Sequence, residues 1–258
     1  MKMILNKFPF LICPNALPKA AFPEFIEAVS ETCVRNIGIR AAWQSFAPGT
    51  VEELQICDIS VSGNFAEAAK REQLFEAMEI AKKFHIPQVS IASAPQLSAA
   101  EQHSSIAFFR DAAACAEEKG LRFTLETYGV ISRTANECLR VLEKVDHPAL
   151  QICYDTANVW RFAPEFKTAS DLFEDFCKLK GHIGYMHLKD FDPETQKIMI
   201  LGKGKIDFPA IFAKLSEWKF DGFIGLDLET SYAREINTLE AHKEALHLSL
   251  KNLSTIVC

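Results

Sequence analysis

Eight short runs rich in Val, Ile and Phe recur along the chain: Phe10–Cys13, Asn36–Ala41, Gln55–Val61, Gln88–Ala92, Arg122–Thr127, Gln151–Thr156, Gly184–Lys189 and Phe223–Glu229. Most are followed by a longer stretch whose apolar residues repeat at helical spacing, at Pro23–Cys33, Phe65–Phe84, Ser98–Lys119, Thr134–Val145, Ser170–Leu179 and Phe208–Trp218. A closing helix is expected from Asn237 to about Thr255. Alternating strands and helices imply parallel strands joined by right-handed crossovers. Eight such units without a linker predict an α/β chain closed into a (β/α)8 barrel of the TIM type, one domain over residues 1–258. An open doubly wound sheet would have fewer strands and a glycine fingerprint after the first. The second βα unit is shortened, because only Trp43–Leu54 separates its strands, and a short helical turn is expected there at Thr50–Leu54.

Composition removes several classes of function. The chain has 258 residues, 48% hydrophobic and 24% charged, enough for a large core. Its 28 Lys and Arg stand against 34 Asp and Glu, a net charge of -6 with no block of like charge, so the basic footprint of a nucleic-acid binder is missing. No apolar run approaches the roughly 20 residues of a membrane span. The run from Phe8 to Cys13 follows Lys2 and Lys7, but an internal Pro9 and the lack of a small-residue cleavage pattern make it a first strand, not a signal peptide. Eight cysteines are scattered singly with no C-x-x-C, the pattern of buried free thiols in a cytoplasmic protein.

Strand alternation then brings polar residues together. If Phe123 and Leu125, Ile152 and Tyr154, Met186 and Leu188, and Ile224, Leu226 and Leu228 face the helices, then Glu126, Asp155, His187 and Glu229 point inward. Each lies at or near the C-terminal end of its strand, where barrels of this kind build their sites. Two carboxylates ~5 Å apart at an effective dielectric of ~20 repel by roughly 3 kcal/mol, a cost that a divalent cation removes. Three oxygen donors and one nitrogen, without thiolate, suit Mn²⁺, Mg²⁺ or Co²⁺ with open coordination positions better than a closed structural Zn²⁺ site.

The strings Leu125-Glu126-Thr127, Tyr154-Asp155-Thr156-Ala157-Asn158, His187-Leu188-Lys189-Asp190, Leu201 to Pro209 and Asp221 to Glu229 resemble the xylose-isomerase-like TIM-barrel family of sugar isomerases and epimerases. The resemblance implies that Glu126, Asp155, His187 and Glu229 bind one divalent metal, Mn²⁺ ahead of Mg²⁺, Co²⁺ or Zn²⁺, and that Glu126 and Glu229 serve as acid and base on opposite faces of a ketose, an aldose or a related polyol derivative. A metal that holds a carbonyl and its neighbouring hydroxyl stabilises the enediolate left when the adjacent C–H loses its proton. A carboxylate that returns the proton inverts a centre or shifts the carbonyl. Where epimerases of the family carry a substrate-contacting histidine, this chain has Asn158, which hydrogen-bonds but carries no charge. The His-Leu-Lys-Asp string is shared with inosose-dehydratase-like members, so a metal-dependent lyase is the second expectation. A sugar-binding barrel without catalysis is the third.

Other residues at the mouth have two readings each. Lys189 either contacts substrate or forms a salt bridge at the rim. Arg40 either grips a carboxylate or phosphate or pairs with Asp58 or Asp227. Trp43 either stacks on a sugar face or packs in the wall. Asp227 is expected to support a ligand rather than to be one. Lys203 sits in Gly202-Lys203-Gly204, which lacks the third glycine of a dinucleotide loop and is read as a mobile loop ahead of a helix capped by Asp207. The other histidines lie away from the constellation and are too few for the several-zinc site of the endonuclease IV relatives of this fold. The expected partner is a small sugar or polyol, with no nucleic acid and no membrane, and a homo-oligomer is left open.

Overall fold

The computed structural model describes residues 7–43 and 53–256. Among them eight parallel strands close into a barrel: β1 (Phe10–Ile12), β2 (Asn36–Arg40), β3 (Gln55–Gly63), β4 (Gln88–Ser93), β5 (Arg122–Glu126), β6 (Leu150–Asp155), β7 (Ile183–Leu188) and β10 (Phe223–Leu226). β1 pairs with both β2 and β10, which completes the ring. Between β7 and β10 a separate antiparallel hairpin forms from β8 (Asp190–Asp192) and β9 (Lys197–Met199).

Helices wrap the barrel in chain order. They are α1 (Phe22–Ser30), α2 (Ala68–Lys83), α3 (Ala99–Lys119), α4 (Ala135–Val145), α5 (Thr156–Phe162), α6 (Ala169–Lys178), α7 (Phe208–Glu217), α8 (Ser231–Ile236) and α9 (Leu239–Ile256). The sequence marks several of their ends. Ser98 and Glu101 exchange hydrogen bonds in a capping box that opens α3, and Gly120 closes it at a φ of 68°, a left-handed conformation that glycine adopts without strain. Asp207 caps α7 by accepting from the Ala210 N–H. A cap of this kind contributes about 1 kcal/mol.

All eight expected strands are present. Between β2 and β3 only a 3-10 turn, Ala41–Trp43, is described, in keeping with a shortened second unit. Of the turn expected at Thr50–Leu54, positions 50–52 lie outside the described residues; Glu53 is in a turn and Leu54 is buried. The last strand stops at Leu226, short of the expected Glu229. Two helices were not foreseen: α5, which follows β6 directly, and α8.

The core has two layers. Phe123, Leu125, Ile152, Tyr154, Met186, Leu188, Ile224 and Leu226 fill the space between strands and helices and are fully buried. Burying each such side chain is worth roughly 1.5–3 kcal/mol. Inside the barrel a smaller cluster of Leu11, Cys13, Cys57, Cys153 and Tyr185 forms the floor. Gly225 makes this floor possible, because a Cβ there would lie 2.6 Å from Cys13 Sγ and 2.7 Å from the Tyr185 hydroxyl.

Candidate metal centre

Above that floor, at the C-terminal mouth, Glu126, Asp155, His187 and Asp227 each direct a potential ligand atom to one point, all within 4.8 Å of one another. Register explains the convergence. Asp155 lies level with His187, and His187 level with Gly225, so Asp227 is the next inward residue beyond Gly225. His187 Nδ1 stands 3.5 Å from Glu126 Oε1, 3.7 Å from Asp227 Oδ2 and 3.9 Å from Asp155 Oδ2. These separations are long for hydrogen bonds. They are near the roughly 3–3.5 Å between neighbouring ligand atoms that each lie about 2.0–2.2 Å from a shared ion.

Each carboxylate is oriented by local structure. Asp155 is the N-cap of α5: its Oδ1 accepts from the backbone N–H groups of Ala157 at 3.0 Å and Asn158 at 2.8 Å, which leaves Oδ2 for the cluster. One turn into the same helix, Asn158 Nδ2 donates to Glu126 Oε1 at 2.9 Å. Burial pushes the Asp155 carboxyl up to about 6, against the pull of Lys189. His187 Nδ1 is buried and has no hydrogen-bond partner, and it faces Glu126 Oε1, Asp155 Oδ2 and Asp227 Oδ2 across gaps long for hydrogen bonds. An orphaned imidazole nitrogen facing three carboxylates fits a divalent cation.

Lys189 is not a rim residue. It is 2% exposed, and its ammonium lies 3.1 Å from Asp155 Oδ2, 2.9 Å from Asp227 Oδ2 and 3.0 Å from Glu229 Oε2. Burial alone would lower its pKa, yet the carboxylates around it outweigh burial and hold it well above the usual lysine range. Glu229, assigned from sequence to the ligand ring, reaches the cluster through this ammonium. β10 has ended before it, and its φ of 39° breaks the alternation that would point it inward. In the four-residue group Asp227 stands in that place.

The cluster forms one wall of a cavity of about 220 Å³, with Glu126, His187 and Asp227 on it and Arg40, Ser60 and Lys70 also lining the space. Arg40 makes no ion pair with Asp58 or Asp227 among the described residues. Its Nη2 donates to Pro14 O at 3.4 Å and Asn15 Oδ1 at 3.3 Å, and the guanidinium lies over the Trp43 ring, 5.0 Å from its centre. Trp43 also packs on the rings of Phe22 and Phe25 at 5.5 and 5.4 Å, so it serves as wall and as a shelf for Arg40. Asp58 instead accepts from Gln88 Nε2 and Ser90 Oγ. Lys203 is exposed and does not line the cavity.

The turn carrying Lys203 is tied down rather than free. Asp190 accepts from the N–H groups of Gly202 and Gly204, both at 2.8 Å, and a Cβ on Gly204 would run into the same carboxylate. Sequence reasoning did not single out Lys70, Asn15 or Ser60. The inward parity of Ser60 was there to be read, but nothing in sequence aims the long Lys70 side chain.

Comparisons with known proteins agree with this architecture. Inosose dehydratase from Geobacillus kaustophilus (strain HTA426) is 26% identical over 152 residues, a match that spans 52% of this chain and about half, 47%, of that protein. Among solved structures, D-psicose 3-epimerase with D-tagatose from Clostridium cellulolyticum H10 superposes with a TM-score of 0.73 at 14% identity, covering 96% of this chain and 99% of the other. A probable 3-DHS dehydratase from Bacillus anthracis gives 0.71 at 17% identity, covering 92% and 98%. The IOLI protein with a bound zinc atom gives 0.70 at 14%, covering 96% and 98%. At these identities the structural likeness is one of fold. A profile of the family matches residues 20–252, nearly the whole barrel, and the chain therefore belongs to the xylose isomerase-like TIM barrel family.

Proposed function

We propose that this protein is a divalent-metal-dependent enzyme that moves a proton next to a carbonyl of a small sugar or polyol derivative, with isomerisation or epimerisation as the outcome. The observation that carries the reading is the group Glu126, Asp155, His187 and Asp227, gathered at the orphaned His187 Nδ1 beside a cavity of about 220 Å³. Those four residues would hold the ion, Mn²⁺ by the chemistry of the donors, with Glu229 beside them. When bound, the ion supplies Lewis-acid polarisation of a carbonyl and its neighbouring hydroxyl.

The chain's own residues do the rest. Glu126, held by Asn158, is one carboxylate in reach of a substrate C–H, and Glu229, 24% exposed and held by Lys189, is the other. Lys189 holds Glu229 in place through the 3.0 Å contact between its ammonium and Oε2. Asn158 fixes Glu126 without adding a second charge. The floor of Leu11, Cys57 and Tyr185 excludes water from below.

A dehydratase outcome is favoured by the inosose dehydratase relative, 26% identical over 152 residues. An NMR screen of keto- and aldo-sugars and inososes in D₂O with Mn²⁺-loaded protein tests both. Solvent deuterium at a carbon beside the carbonyl together with a shifted carbonyl or an inverted centre supports isomerase or epimerase chemistry, and a product skeleton that has lost one hydroxyl as water supports dehydration. No exchange and no product across the panel would overturn the reading.

A further inference from the structure

We propose that the substrate carries an anionic group, a carboxylate or a phosphate, which Arg40 and Lys70 bind in the cavity beside the metal cluster. This rests on the functional reading above for its word "substrate", but the binding site itself rests on other residues.

Arg40 and Lys70 both line the cavity, and neither forms an ion pair among the described residues. That sets them apart from Lys189, the third cation of the mouth, which touches three carboxylates. Arg40 is fixed with its face on the Trp43 ring, while its only bonds among the described residues are two long ones from Nη2 to neutral acceptors. A guanidinium has five N–H donors in a rigid fork, so donors remain on Nε and Nη1 for a planar or tetrahedral oxyanion. Burial lowers its pKa, while Asp227 and Glu229 act in the opposite direction from a distance, so the charge is partly desolvated yet not neutralised by contact.

Lys70 is placed by a separate device. It stands in the first turn of α2, and its stem crosses the end of β3 at Gly63, where a Cβ would lie 2.7 Å from Lys70 Cε and 2.8 Å from Cδ. Gly63 has a φ of 149°, a conformation that side-chain-bearing residues rarely adopt. The glycine thus leaves a groove for the lysine stem. At its tip Nζ donates to Gln73 Oε1 at 2.9 Å, a neutral partner that orients the ammonium without satisfying its charge. The carboxylates of the cavity, Asp58, Glu126 and Asp227, are bonded to Gln88 and Ser90 or gathered around His187, so among the described residues Arg40 and Lys70 are two oriented cations without a contacting anion, which a neutral sugar does not call for.

The test is calorimetric binding to the Mn²⁺-loaded protein of three unreactive probes that share one four-carbon chain: erythritol, D-erythronate and D-erythritol 4-phosphate. At least one anion is expected to bind roughly tenfold or more tightly than erythritol, and which one does so separates carboxylate from phosphate. Arg40→Gln with Lys70→Gln should erase that advantage while leaving erythritol affinity unchanged. Should the double variant fold poorly by circular dichroism, Lys70→Gln alone and Arg40→Lys are used, each weakening the anion, the second because a lysine keeps the charge but has neither the fork nor the flat face that lies on Trp43. Equal affinity for the neutral and anionic probes overturns the proposal, as does an anion preference that vanishes on chelation but survives the substitutions, since the metal would then be the anion site. The two readings fail separately. Deuterium exchange into a neutral ketose with no anion preference sinks this inference alone, and substitution-sensitive anion binding without proton exchange in any sugar sinks the enzymatic reading alone.

Discussion

Lys189 Nζ lies 3.1 Å from Asp155 Oδ2, with both side chains all but closed to solvent. The same ammonium bridges Asp227 and Glu229, so one fixed cation offsets part of a charge that four carboxylates, Glu126 included, build up at the barrel mouth. A divalent ion at His187 would offset the remainder in large part. Lysine and metal therefore share one electrostatic task, and the loss of one should raise the demand on the other.

Lys189→Met keeps the volume of the side chain and removes its charge. Breaking a buried ion pair from one side costs about 3–5 kcal/mol, because the carboxylates left behind are uncompensated. The metal-free variant should lose stability on that order in urea unfolding, and saturating Mn²⁺ should return part of it. A variant as stable as the parent without metal would show that the ammonium is not needed to hold these carboxylates together.

His187→Ala removes the nitrogen donor but little of the barrel's packing, since Cys13, Cys153 and Tyr185 below it remain. Mn²⁺ affinity measured by titration calorimetry should fall at least roughly a hundredfold, more than the 10–100-fold typical of losing only a supporting residue. Far-UV circular dichroism should be unchanged. Undiminished metal binding would mean that the ion, if bound, sits elsewhere.

Glu126→Gln and Asn158→Ala test the proton-transfer reading from two sides. The first removes the proton-accepting group and should lower turnover by roughly 10²–10⁴. The second only removes the 2.9 Å bond that orients Glu126, with a net worth of about 1–3 kcal/mol, and should lower kcat by roughly 5- to 100-fold with KM little changed. Combined, they should cost no more than Glu126→Gln alone, because both act through one carboxylate. Additive losses would give Asn158 a role of its own.

What was legible in the sequence was periodic. Strand alternation placed Glu126, Asp155 and His187 inward, and they do meet. It failed where regular strand stopped. Glu229 lies beyond the end of β10 in a left-handed conformation, so counting parity from Leu226 no longer says where its side chain goes. Asp227, still in step with Gly225, takes the place beside His187. Lys189 was uncertain for another reason: a lysine at a strand end is usually solvated, and only three converging carboxylates make burial favourable. The Gly202–Gly204 turn was misread as mobile because its anchor, Asp190, acts through backbone N–H groups, which leave no side-chain signature at the receiving end.

Asp58 gives the clearest pH dependence. It is buried beneath the cavity, bonded by Ser90 Oγ at 2.8 Å and Gln88 Nε2 at 3.1 Å, and burial pushes its carboxyl from 3.8 up to about 6. Between those values the native state holds a proton that the unfolded chain has released. Unfolding free energy must then fall as pH rises through the window, by about 3 kcal/mol from this group at one pKa unit per 1.36 kcal/mol. Asp155, raised likewise, adds to the same slope, so the contribution of Asp58 is read from Asp58→Asn. Asparagine keeps both partners, accepting from Gln88 Nε2 and donating to a Ser90 hydroxyl that turns to receive it. The variant should match the parent near pH 4 and exceed it by up to about 3 kcal/mol at pH 7.5 in urea unfolding. Parallel stability curves for the two proteins across that range would mean that Asp58 titrates in the folded barrel as it does in water.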